Sequence, residues 1–279
     1  MISLILAIAS SACVSIFMRL SENQIKSEMA MFMANYGACI ALSVIFMEGS
    51  VGDTFSKGTG SILALGCITG ILYLGGFVML KYNIRHNGLV LASTFMKLGV
   101  LIPTVMAVVF FGEKPETVQV LGIVIALAAI VVIQFEKEAI KDGKKKIWLL
   151  VILVVSGLGD GMMNVFEQFG EPEGKDGYLL VTFAMAMVLS VVGVILSGEK
   201  IEKRDLAFGL LIGVPNYFSA RFLLLALGSM DAVIAYPVYS VAGILLVTLA
   251  GVAVFKERLE KRQWIALGII LLALVLLNL

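Results

Sequence analysis

Charged residues are scarce in this chain, and their scarcity excludes an ordinary soluble domain. Only 15% of the 279 residues are Asp, Glu, Lys or Arg, whereas 60% are hydrophobic. Soluble domains have roughly a quarter of their residues charged and about half apolar. The formal net charge of +1 provides no bulk attraction to nucleic acid, so none is expected as a partner. The composition indicates an integral membrane protein, surrounded by a lipid bilayer.

Residues that bind metals or form disulfides are also scarce. The chain has one histidine, His86, and three cysteines, Cys13, Cys39 and Cys67, which lie inside apolar runs. Their spacing fits neither a metal site nor a disulfide framework, so we interpret them as small buried residues. The sequence also lacks a phosphate-binding loop and a cluster of histidines. It therefore predicts no metal, no cofactor and no enzyme activity.

Long apolar runs fill most of the chain instead. A helix needs about 20 mostly apolar residues to span a bilayer. The runs are too long and too uniformly apolar for barrel strands, so they predict an all-α membrane protein with ten transmembrane helices. The ten runs are Ile2–Met18, Met29–Met47, Ile62–Leu80, Gly88–Phe111, Val118–Phe135, Ile147–Phe166, Tyr178–Leu196, Leu206–Leu227, Ala232–Phe255 and Trp264–Leu279.

The polar separators between these runs are short and carry most of the charge. Four of them contain a plausible helix N-cap, at Ser27, Asp176, Asp205 or Asp231. The separators predicted on one side hold 16 Lys and Arg residues, and those on the other side hold 3. Basic loops of membrane proteins face the cytoplasm. We therefore predict that the Lys144–Lys146 loop is cytoplasmic and that both termini lie outside.

The two halves of the chain align with each other. Placing Phe111 against Phe255 is a shift of 144 residues, and each half then holds five predicted helices. Homologous halves with an odd number of spans insert in opposite directions, as in many secondary transporters, where substrate binds between them near the midplane. We predict a first repeat over residues 1–138, a basic cytoplasmic linker over 139–146 and a second repeat over 147–279. The other aligned pairs are Glu113 with Glu257, Gln119 with Gln263, and Tyr73 with Tyr217.

Two segments carry a family resemblance. "FFGEKPETVQVLGIVIALAAIVVI", preceded by Pro103 in mid-helix, resembles the closing segment of the EamA-type repeat of the drug/metabolite transporter superfamily. "VAVFKERLEKRQWIALGIILLALVLL" resembles a second copy, although Val247 replaces the proline. The resemblance implies a ten-helix transporter of small metabolites without naming the ligand. Glu113 and Glu257 match a conspicuous glutamate of that family, and we expect each to stabilise the N-terminus of the next helix.

Three ionisable residues lie well inside predicted helices. They are Lys97 in the fourth, Asp160 in the sixth and Arg221 in the eighth. A charge at mid-membrane costs at least ~2.5–3.5 kcal/mol, so such residues face the protein interior, pair with one another or line a polar cavity. Each falls near its predicted helix midpoint, so the three are expected to form one layer. A purely structural ion pair is the competing interpretation.

Polar and aromatic residues surround this layer and complete the predicted substrate site. Asp160, Asn164 and Glu167 share one helix face. Two buried cations against one central carboxylate leave a positive charge that an anionic or zwitterionic substrate, or Glu167, would balance. Asp160 and Glu167 are candidates for carrying a coupled proton, because burial favours the neutral carboxyl. The other predicted substrate-binding residues are Asn216, Tyr217, Tyr73, Tyr36, Tyr236 and Tyr239.

These features predict a secondary-active transporter of the plasma membrane that moves a small polar or charged metabolite by alternating access. A channel or a non-transporting membrane bundle is the alternative, and saturable flux separates a carrier from both. An intramembrane aspartyl protease is a remote alternative suggested by "GLGD" before and at Asp160. That chemistry needs two carboxylates sharing a proton, and the other aspartates fall in or beside loops. We therefore interpret the glycines as allowing close helix approach. The sequence leaves open the substrate, the direction, the coupling ion and the possibility of a homodimer.

Overall fold

The computed structural model describes residues 1–22, 24–48, 52, 58–87, 95–134, 147–256 and 261–277. Within them the regular structure is helical, with no strand. The helices are α1 (Ile2–Ser21), α2 (Glu28–Ile45), α3 (Thr59–Asn87), α4 (Leu101–Val109), α5 (Thr117–Gln134), α6 (Ile147–Phe169), α7 (Lys175–Ser197), α8 (Lys203–Leu227), α9 (Ala232–Phe255) and α10 (Lys261–Leu277). A 3₁₀ turn, Pro172–Gly174, precedes α7.

Seven of the described helices contain a segment long and apolar enough to cross a membrane: α1, α2, α3, α6, α7, α8 and α9. The fourth, fifth and tenth apolar runs appear as shorter apolar helices over Phe95–Val109, Thr117–Ile130 and Leu267–Leu277. The prediction of an all-α, multi-pass membrane protein is confirmed. The count of ten spans and the inverted orientation of the repeats stay predictions.

Some predicted features lie outside the described residues. These are the linker over 139–146 with its Lys144–Lys146 loop, and Glu257 of the second repeat. The side chain of Gln263, the partner of Gln119 in the repeat alignment, is also outside the description.

Helix starts differ in part from the predicted N-caps. Ser27 caps α2 as expected, since its hydroxyl accepts a hydrogen bond from the Ala30 N–H at 3.3 Å. Asp205 instead lies three residues after the N-cap Glu202 of α8, and the two form a reciprocal capping box. Asp176 lies in the first turn of α7, because the 3₁₀ turn at Pro172 starts that helix earlier. Asp231 is the N-cap of α9, but its side chain makes no capping bond.

The helices form two compact units, each built from both halves of the sequence. Unit 1 comprises Met1–Leu74 and Val165–Gly228, and unit 2 comprises Gly75–Asn164 and Ser229–Leu279. This spatial division is not the division into sequence halves, because each unit holds segments of both halves. Two of the three chain boundaries between the units fall inside helices, in α3 and in α6, and the third lies between α8 and α9. The internal repeat therefore stays a prediction about sequence, separate from the compact units.

Unit 1 is organised around α2, which packs against both α7 and α8, while α1 packs on α8. Glycine makes the α2–α8 crossing close. A Cβ added at Gly213 would lie 2.5 Å from both the Asn35 carbonyl oxygen and the Ala38 Cβ, and one at Gly209 would overlap the carbonyl oxygen of Met31. Small residues at helix crossings let backbones approach and gain van der Waals contact, which holds helices together where lipid surrounds them.

Unit 2 has its main helix pairs between α5 and α10 and between α4 and α9. Its apolar core uses small and branched residues: Ala126, Ala129, Ile130, Val241, Ile244, Leu267, Ile270 and Ala273. These side chains are at most 6% exposed. Close packing of this kind accounts for the cohesion of unit 2 without polar contacts at that place.

Candidate functional site

Asp160 lies close to the middle of α6, as predicted. The helix spans Ile147–Phe169, so Asp160 is about 3 Å along the axis from the midpoint. Its carboxylate and the Lys97 ammonium attract each other electrostatically. Among the described residues no direct ion pair or hydrogen bond joins these two groups. Of the two predicted cationic neighbours of Asp160, Lys97 is the one whose charge acts on it.

Glycines in "SGLGDG" allow this approach. A Cβ at Gly157 would overlap the carbonyl oxygen of Gly99, and one at Gly161 would lie 3.0 Å from the Met106 sulfur. Ser156 in the same turn donates a hydrogen bond to the Met96 carbonyl oxygen at 3.2 Å. The chain segment that carries Lys97 therefore lies directly against α6. Close helix approach, the interpretation preferred over a protease motif, explains these glycines.

Two further predicted residues belong to the same part of unit 2. Tyr236 of α9 is buried and donates its hydroxyl hydrogen to the Asp160 carbonyl oxygen at 2.6 Å. Asn164, one turn after Asp160, is buried, and its side-chain nitrogen has no hydrogen-bond partner among the described residues. A buried amide without a partner costs free energy. The cluster of Lys97, Asp160 and Asn164 thus retains polar groups that a ligand or water can bind; we call it the α6 polar cluster.

Arg221 has a different partner from the one expected at sequence level. In unit 1 its Nη1 donates to Asp176 Oδ1 at 2.6 Å and to the Tyr217 hydroxyl at 2.7 Å. The Arg221 and Asp176 side chains are 17% and 15% exposed. Because α8 spans Lys203–Leu227, Arg221 lies about 9 Å from the helix midpoint, in the last two turns. The expected position of Arg221 near the midpoint of its helix is therefore wrong, because the helix starts earlier than its apolar run.

Glu167 also forms a direct ion pair in unit 1. Lys175 Nζ lies 2.8 Å from its Oε1 and 2.7 Å from its Oε2. The two side chains are 24% and 16% exposed for Lys175 and Glu167. Glu167 thus neutralises Lys175 at the start of α7, whereas the sequence offered it as the group that balances a central cation. Its role in proton coupling stays a prediction.

The remaining predicted residues of unit 1 form a buried polar and aromatic group. Asn216 donates to the Asn35 side-chain oxygen at 3.2 Å, so Asn35 joins the group. Tyr36 is fully buried, its ring stacks on Phe183 at 6.3 Å, and its hydroxyl has no partner among the described residues. Tyr73 is half-buried in α3 of this unit.

The predicted site residues are therefore divided between the two units. Asp160, Asn164, Lys97, Tyr236 and the half-buried Tyr239 belong to unit 2. Those in unit 1 are Arg221, Asn216, Tyr217, Tyr36, Tyr73 and Glu167.

Sequence reasoning missed the acidic and basic residues at the start of α7. Asp176 and Lys175 looked like loop charges, because they lie in a short polar separator. A signal was available, since an arginine inside an apolar run requires an anionic partner, and nearby loop carboxylates are the candidates.

Glu113 acts at a helix N-terminus, but at a different helix from the one expected. Its Oε1 accepts a hydrogen bond from the Ala232 N–H at 3.1 Å, and its Oε2 accepts one from the Val233 N–H at 2.7 Å. It thus caps α9, where the side chain of Asp231 makes no cap bond. The expected physical role, a carboxylate at the positive end of a helix, is correct. The expectation of the next helix in sequence, α5, is wrong because the fold brings α9 to this position.

Comparisons with known proteins agree with the transporter resemblance. Residues 1–135 match the EamA-like transporter family, and residues 177–270 match the Small Multidrug Resistance protein family. Both models describe transporters and not enzymes. The matches confirm the resemblance to EamA-type transporters of the drug/metabolite transporter superfamily.

Individual relatives show how much of the chain the similarity covers. An uncharacterized protein of Haemophilus influenzae is 24% identical over 96% of this chain and 94% of its own length. The membrane protein YvaE of Bacillus subtilis is 41% identical over 61 residues, which are 22% of this chain and 51% of that protein. A crystal structure superposes with a TM-score of 0.76 at 14% identity, over 99% of this chain and 94% of the other. The last comparison shows the fold alone.

Proposed function

We propose that this chain, which carries an EamA-like transporter domain in its first half, is a secondary-active transporter of the plasma membrane. It moves a small polar or charged metabolite by alternating access between two inverted repeats. The observation that carries this proposal is the α6 polar cluster, an acid, a base and an unpartnered amide in a membrane-spanning helix and its neighbour. A merely structural bundle gains nothing from retaining them at the cost that lipid imposes.

The α6 polar cluster supports binding because its charges attract each other without a direct bond. Asp160 and Lys97 keep hydrogen-bonding capacity for a third group, and Asn164 offers a free amide donor. A charged or polar group of the substrate, or a coupled proton on Asp160, completes the cluster. The Tyr236 hydroxyl holds the backbone of α6 at this point, so movement of α9 acts on the same place.

Asp160→Asn tests this role, because it keeps the side-chain volume and removes the charge. We expect the variant to insert and fold normally and to lose counterflow, in proteoliposomes, of the ligand found by a thermal-shift screen. The screen covers amino acids, amines, nucleobases and sugar phosphates. Asp231→Asn is the matched control, since Asp231 is exposed and makes no cap bond. Unchanged flux and melting temperature in Asp160→Asn would contradict any role for the cluster.

A structural role for Asp160 has a different signature. If Asp160 only neutralises Lys97, Asp160→Asn leaves a buried charge unpaired, which typically costs about 3–5 kcal/mol. The melting temperature then falls, and the double variant with Lys97→Met restores it without affecting flux. Loss of flux that Lys97→Met does not restore, at normal stability, supports the transport role instead. The double variant of Asp160→Asn with Arg221→Gln is the comparison, because Arg221 is a cation that pairs with Asp176 and not with Asp160.

Flux kinetics separate a carrier from a channel. Saturable exchange supports the carrier, unsaturated conductance supports a channel, and absence of flux for every screened ligand supports a scaffold. The predicted orientation is tested with a single cysteine at Lys145 in a cysteine-free chain. Labelling of that cysteine from outside intact cells would reverse the predicted topology. Single-molecule counting in nanodiscs tests the homodimer.

A further inference from the structure

A cavity of about 280 Å³ lies in unit 1, where α2 and α8 end and α7 begins. Charges of both signs line it, from Glu48, Glu173, Lys175, Asp176 and Arg221. The predicted orientation places this end of unit 1 outside. We propose that the cavity is a binding site for a small zwitterion with an aliphatic body, which carries one carboxylate and one ammonium group.

Arg221 is suited to the carboxylate. Its two hydrogen bonds, to Asp176 and Tyr217, both come from Nη1. A guanidinium has five N–H donors in a fixed fork, and its other nitrogens have no acceptor among the described residues. Bidentate contact with a carboxylate is the strongest use of such a fork. The carboxylate of the ligand therefore binds the free edge of Arg221 or replaces Asp176 on Nη1.

The ammonium group has acidic partners in the same cavity. Three carboxylates and two cations line it, and Lys175 is already paired with Glu167. Arg221 is paired with Asp176, and the Glu48 carboxylate has no ion-pair partner among the described residues, so Glu48 is available for a ligand cation. Asp176 Oδ2 accepts a hydrogen bond from the Glu48 backbone N–H at 3.0 Å while its Oδ1 binds Arg221. The acidic wall therefore adjoins the guanidinium, so both charges of one small zwitterion are within reach.

The apolar part of the cavity wall determines which uncharged part of a ligand fits. Leu179 of α7 and Leu224 and Leu225 of α8 line the cavity beside the charged groups. Leu179 and Leu224 are each 1% exposed, so they form a fixed apolar floor. Ligand pockets for drug-sized molecules start at ≈ 300 Å³, so a cavity of about 280 Å³ suits a compact molecule. A branched aliphatic side chain fits this wall.

Three matched probes test the proposal by isothermal titration calorimetry on the full chain in nanodiscs. Leucine carries both charges, 4-methylpentanoate lacks the ammonium group, and 3-methylbutylamine lacks the carboxylate. We expect leucine to bind at least tenfold more tightly than either single-charge probe. Equal binding of either single-charge probe, or no binding of leucine, would overturn the proposal.

Variants locate the two halves of the ligand. Arg221→Gln and Glu48→Gln should each weaken leucine binding at least tenfold, whereas Glu199→Gln, an exposed change at the other end of α7, should leave it unchanged. Asp176→Asn keeps an acceptor and frees the guanidinium, so 4-methylpentanoate should bind several-fold more tightly and 3-methylbutylamine more weakly. This variant keeps the test decisive if Arg221→Gln does not fold. An unchanged order of the probes in Asp176→Asn contradicts the site.

The inference rests on the proposed function only in treating the ligand as a transported solute. Calorimetry measures binding and not flux, so the binding-site proposal and the transporter proposal can fail separately. Leucine binding without flux in the parent chain would support the cavity as a binding site and contradict the transporter proposal. Flux of another ligand without leucine binding would support the transporter proposal and contradict the cavity as a zwitterion site.

Discussion

The two units treat their charges in opposite ways. In unit 1, Arg221 with Asp176 and Lys175 with Glu167 are joined directly at 2.6–2.8 Å, near helix ends. In unit 2, Asp160 lies in mid-helix and interacts with Lys97 without a direct bond. A direct ion pair of partly buried groups stabilises one arrangement, because each partner satisfies the other. An acid and a base that are not bonded keep the capacity to exchange partners, as the proposed transport role requires.

Close packing at a glycine should give the largest effect. Gly213→Leu in unit 1 should prevent folding, because even a Cβ there would lie 2.5 Å from the Asn35 oxygen and the Ala38 Cβ. Gly213→Ala should cost about 1–3 kcal/mol or more, as overpacking does. Gly243→Ala in unit 2 is the control, since no atom lies within 4 Å of its added Cβ. Size-exclusion profiles and melting temperatures check both, and a stable Gly213→Leu would contradict the close crossing.

Breaking the direct ion pair should come next. Arg221→Met leaves Asp176 without its cation, which for buried pairs costs about 3–5 kcal/mol. The 15–17% exposure of the two side chains puts the expected cost near the lower end, about 3 kcal/mol. Melting should show a larger loss than in Asp160→Asn, and Arg221→Met with Asp176→Leu should recover most of it. A larger loss in Asp160→Asn would reverse the contrast between the units.

The cap on α9 should have a smaller effect. Glu113→Gln keeps one side-chain oxygen but removes the negative charge from the helix N-terminus. A charge at that place is worth about 0.3–1 kcal/mol at the surface and up to ∼2 kcal/mol when partly buried, so we expect about 1 kcal/mol. Glu199→Gln, an exposed change outside the helices, is the control. Equal unfolding free energies for the two variants would show that the cap contributes nothing.

The smallest effect should come from an exposed pair of unit 1. Lys26 and Glu202 form an ion pair with side chains 69% and 41% exposed, and Glu202 raises the pKa of Lys26 through a hydrogen bond and its charge. Exposed pairs contribute little to stability. Lys26→Gln should therefore leave the melting temperature within error, both at low and at high salt. A salt-dependent loss would show that direct pairing matters in unit 1 even where water screens it.

Much of the fold followed from local patterns. Apolar runs predict helices well because a bilayer requires every backbone group to be satisfied within the helix. The glycines around Asp160 predicted close helix approach, because a residue without a side chain lets two helix backbones come close together. The position of Arg221 was harder, because apolar composition does not reveal that α8 begins at Lys203. Asp176 lies 45 residues from Arg221, so no local pattern relates them.

The sequence by itself determined that the chain lies in a lipid bilayer, that it is helical and that it resembles a transporter family. It also identified the ionisable residues within the predicted spans. These depend on composition and on short motifs, which act through the local cost of charge and of unsatisfied backbone in lipid. Only the tertiary structure decided the partners: Lys97 for Asp160, Asp176 for Arg221, and Glu113 for the start of α9. Each partner is far away in sequence, and electrostatic attraction and hydrogen bonding depend on distance in space, which packing of whole helices sets.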